Sequence, residues 1–268
     1  MYFDYKIIHS GSAGNFNLIT HTDITGETIT FATDIGKPFK HLEPYLFPVD
    51  VILISHIHGD HYQPATYKQI REAFPNILII GNNEVNERVI SDGLPPLDYT
   101  LNATEGIQIA DVYIKAFENE HGNEDYPVQC CGWILYNGHE NILYSTDMST
   151  TIHYRNYLDK HNLTVDTILL EANYDPKIVG FIEAHKLHSG YSIFNNGSER
   201  HMSKDEFDDF CSKYKTSDKT RCEPMHMSST YYSWEGMRKV FKEVTDEQIE
   251  AYEKEGLYID TRIDNNEY

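Results

Sequence analysis

Basic residues are scarce in this chain. Its 22 Lys and Arg stand against 42 Asp and Glu, which leaves a formal net charge of −20 over 268 residues. Proteins that track long stretches of nucleic-acid backbone carry a basic surface, so any phosphate contact here is expected to be local. Long apolar runs are missing as well: none reaches the roughly eighteen residues a membrane helix needs. The start, Met1-Tyr2-Phe3-Asp4-Tyr5-Lys6, lacks the basic-then-apolar order of a signal peptide. A cytoplasmic protein with no membrane partner is the expectation. Cysteine is sparse, and Cys130, Cys131, Cys211 and Cys222 contain no CxxC pair. That argues for reduced, mostly buried thiols and against a disulfide framework or a zinc knuckle.

What is present suits an ordinary globular core, with 40% hydrophobic and 24% charged residues. The organisation expected is one domain over residues 1–242, followed by an acidic surface helix and a frayed tail over 243–268. Strands are expected at Tyr5–His9, Phe16–Thr20, Thr28–Ala32, Val51–Ile54 and Asn76–Gly81, with helices over Pro64–Phe74 and Asn83–Asp92. Gly106–Phe117 reads as two short strands broken near Ala110. Further strands end at Asp147 and near Glu171, and Lys204–Lys215 reads as a helix. This alternation is that of an α/β layer fold.

The strongest signal is Ser55-His56-Ile57-His58-Gly59-Asp60-His61, directly after the apolar run Val51-Ile52-Leu53-Ile54. The run reads as a buried strand, and a loop at its end holds side chains on a rigid base. Alternate residues of an extended chain point the same way. His56 and His58 can therefore face one point, and Asp60 and His61, after the turn at Gly59, a second. Imidazole nitrogen and carboxylate oxygen are donors that Zn2+-type cations accept. The plain alternative is a histidine-rich surface loop without a metal.

His56-x-His58-x-Asp60-His61 resembles the signature of the metallo-β-lactamase fold superfamily. That resemblance implies an αββα four-layer sandwich, two mixed sheets flanked by helices, with one or two metals at its edge. It is specific for fold and poorly specific for reaction. Over most of residues 5–235 the chain is similar to the YycJ (WalJ)-like subfamily. The segments that carry this are Gly11-Ser12-Ala13-Gly14-Asn15, Thr33-Asp34-Ile35-Gly36, His121 ahead of Pro127, Leu170-Glu171-Ala172-Asn173-Tyr174-Asp175, Arg200-His201-Met202-Ser203 and Met225-His226-Met227-Ser228. Arg200 stands where the subfamily has glycine.

The implied ligand set is His56, His58 and His121 for one Zn2+ or Mn2+, and Asp60, His61 and His226 for the other, with Asp147 bridging them. Asp34 would orient a ligand histidine from behind; as a residue alone it also reads as a helix cap. The Ser12–Asn15 loop is either a tight turn or a small anion-binding nest. Ser12, Asn15, Asn173 and His201 are the expected substrate contacts, His201 at the head of the Lys204–Lys215 helix, and residues 183–221 the region for more. Glu171 is open between supporting a ligand, touching substrate and merely ending a strand.

The activity the resemblance implies is hydrolysis by a hydroxide bridging two cations, with Asp60 steering it and His201 assisting. The substrate would be a nucleic-acid or nucleotide phosphodiester, cut as by a 5′ exonuclease on DNA. A carboxylic ester, lactone or thioester is the alternative, for which the 20 Tyr and 12 Phe could build an apolar pocket. A metal-binding protein without turnover is the third reading.

Overall fold

Short apolar runs buried on both faces, such as Val51–Ile54 and Thr167–Glu171, lie within two six-stranded sheets. In the computed structural model, which describes residues 1–123, 126–187 and 200–256, the first sheet runs β1 (Tyr2–His9), β2 (Phe16–Thr22), β3 (Thr28–Thr33), β4 (Val51–Ile54), β5 (Leu78–Gly81) and β6 (Tyr99–Thr100) in that spatial order. β1 to β3 are antiparallel and β3 to β6 parallel. Next along the chain come β7 (Gly106–Ile109), β8 (Val112–Asn119), the two-residue pair β9 (Gly122–Asn123) and β10 (Tyr126–Pro127), β11 (Cys130–Tyr136), β12 (Asn141–Ser145), β13 (Thr167–Glu171) and β14 (Arg221–Met225). The second sheet orders them β14-β13-β12-β11-β8-β7. Its β12, β13 and β14 are parallel and the rest antiparallel.

The layers follow from the side-chain period of two. Val51 and Leu53 of β4 point between the sheets, where they meet Ile114, Trp133, Ile142, Tyr144 and Leu169. Ile52 and Ile54 point outward to α1 (Phe39–Leu46), α2 (Pro64–Ala73) and α3 (Asn83–Ser91) through Leu42, Tyr67, Ile70 and Val85. On the far side Leu143, Ile168 and Leu170 pack on α4 (Ile152–His161) and α6 (Lys204–Tyr214) through Tyr154, Leu158 and Phe210. This is the expected αββα sandwich. Each fully buried Leu or Ile contributes about 2 kcal/mol.

A smaller cluster joins α5 (Pro176–Ala184), α7 (Trp234–Val240) and α8 (Asp246–Glu255) through Phe181, Met237, Ile249 and Tyr252. The acidic C-terminal helix, expected to be solvated, thus buries Ile249 and Tyr252 and starts with a Thr245–Gln248 capping box. The expected frayed tail over 257–268 lies outside the described residues, as does 188–199 of the expected substrate region. Among the described residues no helix is long and apolar enough to cross a membrane.

Candidate metal centre

The parallel halves of both sheets end on one edge, and the residues just past those ends build the site. Asp34 follows β3, Ser55 and His56 follow β4, Asp147 lies two residues past β12, Glu171 closes β13 and His226 follows β14. Asp34, Asp147 and His226 take left-handed backbone, with φ of 63°, 55° and 52°. Each such non-glycine position costs about 1 kcal/mol or more and persists only where its surroundings over-determine it. Here the Ser55 amide and hydroxyl both donate to Asp34 Oδ1 at 2.8 Å. Asn173 Nδ2 donates to the His226 carbonyl at 2.8 Å, and the His226 amide to Ser10 Oγ at 2.7 Å. The ligand loop itself rests on bare backbone: a Cβ on Gly36 would overlap the Asp60 carbonyl, and the Asn15 amide donates to that carbonyl at 2.7 Å.

His56 Nε2 and His121 Nε2 lie 3.0 and 3.2 Å from His58 Nδ1. The Arg200 carbonyl takes the His121 Nδ1 proton at 3.1 Å, which fixes Nε2 as the inward lone pair. Burial, reinforced by His61, pushes the His56 pKa well below its ordinary value. Burial also lowers His58 and His121, although Asp147 pulls the other way. Neutral imidazole is the form that ligates metal.

Asp60 Oδ2 lies 3.6 Å from His61 Nε2 and 3.4 Å from His226 Nε2. Carboxylates stand behind both rings: Asp34 Oδ2 at 2.8 Å from His61 Nδ1, and Glu171 Oε1 at 3.1 Å from His226 Nδ1. Burial disfavours the charged imidazoles, but Asp147 and Asp34 outweigh it and hold His61 well above its ordinary value. Asp147, Asp60 and Glu171 likewise overcome burial at His226 and push it up to about 10. Burial would raise Asp60 and Asp147, but the facing imidazoles hold both carboxyls far below the usual range.

Asp147 lies between the two groups. Its Oδ1 is 3.7 Å from His121 Nε2, and its Oδ2 is 2.6 Å from His61 Nε2 and 3.6 Å from His226 Nε2. Oδ2 is buried and makes no hydrogen bond, despite the 2.6 Å approach. A carboxylate oxygen and an imidazole nitrogen this close, inside a cluster of further donors, suit a shared cation that would displace the imidazole proton. His56, His58 and His121 form one set of mutually close donor atoms, and Asp60, His61 and His226 another. The residues present fit two divalent cations.

The other expected residues divide. His201 reaches the cluster, its Nδ1 2.7 Å from Glu171 Oε1 and its ring stacked on His226. It does not use the helix N-terminus: α6 is capped by Ser203 and carries Asp205 and Glu206 in its first turn, so a phosphate there would meet two carboxylates. Asn15 is fully buried, with Nδ2 3.0 Å from His61 Nε2, and Asn173 engages His226. Asn173 lies behind His226, Asn15 reaches the same His61 nitrogen that faces Asp60 and Asp147, and Ser12 is exposed at the turn. The Gly11, Gly14 and Asn15 amides are all taken by partners within the fold, as in a tight turn. Asp175 caps α5. Reasoning from sequence missed Ser55, whose hydroxyl also touches His56 Nδ1 at 3.0 Å. It left Glu171 open, although an acid closing the apolar run Thr167–Glu171 was a visible signal. A cavity of about 610 Å³ with a mixed lining, Asn82, Asn102 and Glu118 beside Pro127, Val128 and Cys131, reaches Ser55 only through the Asn82 amide, which donates to the Ser55 carbonyl at 3.0 Å.

The sequence matches the beta-lactamase superfamily domain over residues 22–227. The chain belongs to that superfamily. A UPF0173 protein of Pyrococcus abyssi is 38% identical over 81 residues, a match that spans 30% of this chain and 36% of the relative's length. Among solved structures, a diphosphatase of the PhnP family is 14% identical with a TM-score of 0.58, covering 92% of each chain. Short-form human tRNase Z is 14% identical with a TM-score of 0.55, covering 85% of this chain and 93% of the other. At these identities the two likenesses establish the metallo-β-lactamase fold and nothing finer.

Proposed function

We propose that this superfamily member is a dinuclear metal-dependent phosphodiesterase, a nuclease that takes DNA from its 5′ ends. The observation that carries the reading is the Asp147 carboxylate, which turns one oxygen toward each imidazole set. Zn2+ or Mn2+ held there would polarise a phosphoryl oxygen and make water acidic near neutral pH. In this scheme His56, His58 and His121 would hold one cation and Asp60, His61 and His226 the other, with Asp147 shared between them. Asp34 and Glu171 keep the His61 and His226 rings in orientation.

Glu171 occupies Nδ1 of His201, so Nε2 is the atom left to donate to a phosphoryl or leaving-group oxygen. The Asp60 side chain, 24% exposed, is the ligand carboxylate that attacking water can reach. The names of two structural neighbours, a diphosphatase and a tRNase, fit phosphoester chemistry, and the YycJ-like segments motivate the 5′ polarity.

The test is turnover of bis-p-nitrophenyl phosphate and of end-labelled DNA and RNA with Mn2+ or Zn2+, beside a panel of lactones and thioesters. Hydrolysis of the phosphodiesters is expected. Turnover of the lactones or thioesters alone, or tight metal binding with no turnover, would overturn the assignment.

A further inference from the structure

Positive charge is scarce in this chain, yet it collects beside the metal centre. The turn between β1 and β2 contacts the site on one side: Ser10 Oγ accepts the His226 amide at 2.7 Å, and the Asn15 amide donates to the Asp60 carbonyl. Its other side meets Lys37, whose Cδ would lie 2.8 Å from a Cβ on Gly14. Lys37 is anchored through its carbonyl, which accepts from Thr66 Oγ1 at 2.7 Å. His9, at the end of β1, has its pKa lowered first by burial and then by the neighbouring Lys37 and His41 charges. Lys6 extends the group along β1 and sits 5.2 Å over the Tyr45 ring. Lys6, Lys40 and His41 are exposed.

Among the described residues, the acids close to this group are Glu43 and the ligand Asp60, whose carbonyl lies against Gly36 beside Lys37. Glu43 is the exposed one on α1. Asp23 and Glu27 lie at the β2–β3 turn, the opposite end of those strands, and Asp4 pairs with Arg221 at 3.0 Å. Asp34 is buried beneath the ligands.

We propose that Lys6, Lys37, Lys40 and the adjoining His9 and His41 form a track for the phosphates of single-stranded nucleic acid, next to the scissile phosphate. The inference rests on the phosphodiesterase reading and names how such an acidic protein grips a polyanion. A short basic strip at the catalytic edge supplies the contact, and the acidic remainder keeps the rest of the strand off the surface.

The test replaces Lys6, Lys37 and Lys40 with Gln together. Binding of a nuclease-resistant phosphorothioate oligothymidylate to metal-loaded protein is followed by fluorescence anisotropy across a salt series. Each phosphate contact contributes about 0.7 to the log–log salt slope for single strands. The wild-type slope should therefore become about 2 shallower and the affinity fall about tenfold, with bis-p-nitrophenyl phosphate turnover unchanged. Replacing the same three residues with Arg should restore the slope. An unchanged slope in the Gln protein, no oligonucleotide binding by wild type, or a loss confined to phosphatidylserine vesicles would overturn the track. If the triple variant does not fold, Lys40→Gln on the exposed face of α1 is read alone, for a change of about 0.7. A slope that falls as expected in a protein that hydrolyses no phosphodiester would sink the enzymatic reading and leave the track standing.

Discussion

The two halves of the metal centre are built from the same residue types and prepared in opposite ways. His56 is backed by the Ser55 hydroxyl and His121 by the Arg200 carbonyl, and burial keeps these two and His58 neutral. His61 and His226 are backed by buried carboxylates, and without metal they hold protons. The first set is ready to ligate as folded. The second must lose protons to do so, and in return its carboxylates make the imidazoles stronger donors once metal arrives. A dinuclear centre can thus fill in order, and Asp147 is the element common to both halves.

The largest effect is expected from Asp147→Asn. Turnover should fall on the order of a thousandfold, about 4 kcal/mol, and metal content should drop below two ions per chain by elemental analysis. Retention of both ions would break the link between the halves. Gly36→Ala comes next, because its Cβ has no room above the Asp60 carbonyl. A loss of about 2–3 kcal/mol should appear in the melting temperature, with the second ion lost and the first kept.

Asp34→Asn and Glu171→Gln sharpen the contrast further. Each should weaken the second ion by roughly 10–100-fold in calorimetric titration and leave the first unchanged. Ser55→Ala should weaken both sets by less, since its hydroxyl touches His56 Nδ1 and His61 Nδ1 and donates to Asp34.

The pH dependence gives the smallest and most diagnostic signal. In metal-free protein, His226 titrates near 10 against about 6.5 unfolded. Its contribution to stability is complete below about pH 6.5 and is lost as pH rises through its folded value. Asp147, held below the usual carboxyl range, contributes above about pH 3.8 and loses that as pH falls. His56 runs against His226: its folded pKa is depressed, so it favours unfolding as pH drops below about 6.5. Metal loading at pH 7 should therefore release protons from the second set and almost none from the first. Calorimetry in two buffers of different ionisation enthalpy measures that difference.

Much of this was legible in the sequence for a physical reason. β4 buries both faces, so its four apolar residues and the ligand loop behind them stand out. The break at Ala110 falls between β7 and β8 as expected, at a left-handed residue. Less visible were α4, whose apolar stripe is only Tyr154 and Leu158, and α5, whose nearly continuous burial erases the amphipathic signal. The left-handed turns at Asp34, Asp147 and His226 carry no glycine to announce them. Glu171 was ambiguous because its role depends on β13 lying between β12 and β14, a neighbourhood set by the sheet and not by local sequence.

The most direct measurement is anomalous scattering from crystals of the Mn2+- or Zn2+-loaded protein. Two peaks are predicted, one among His56, His58 and His121 and one among Asp60, His61 and His226, with Asp147 reaching both. A single ion, or two ions with Asp147 bound to neither, would contradict the account.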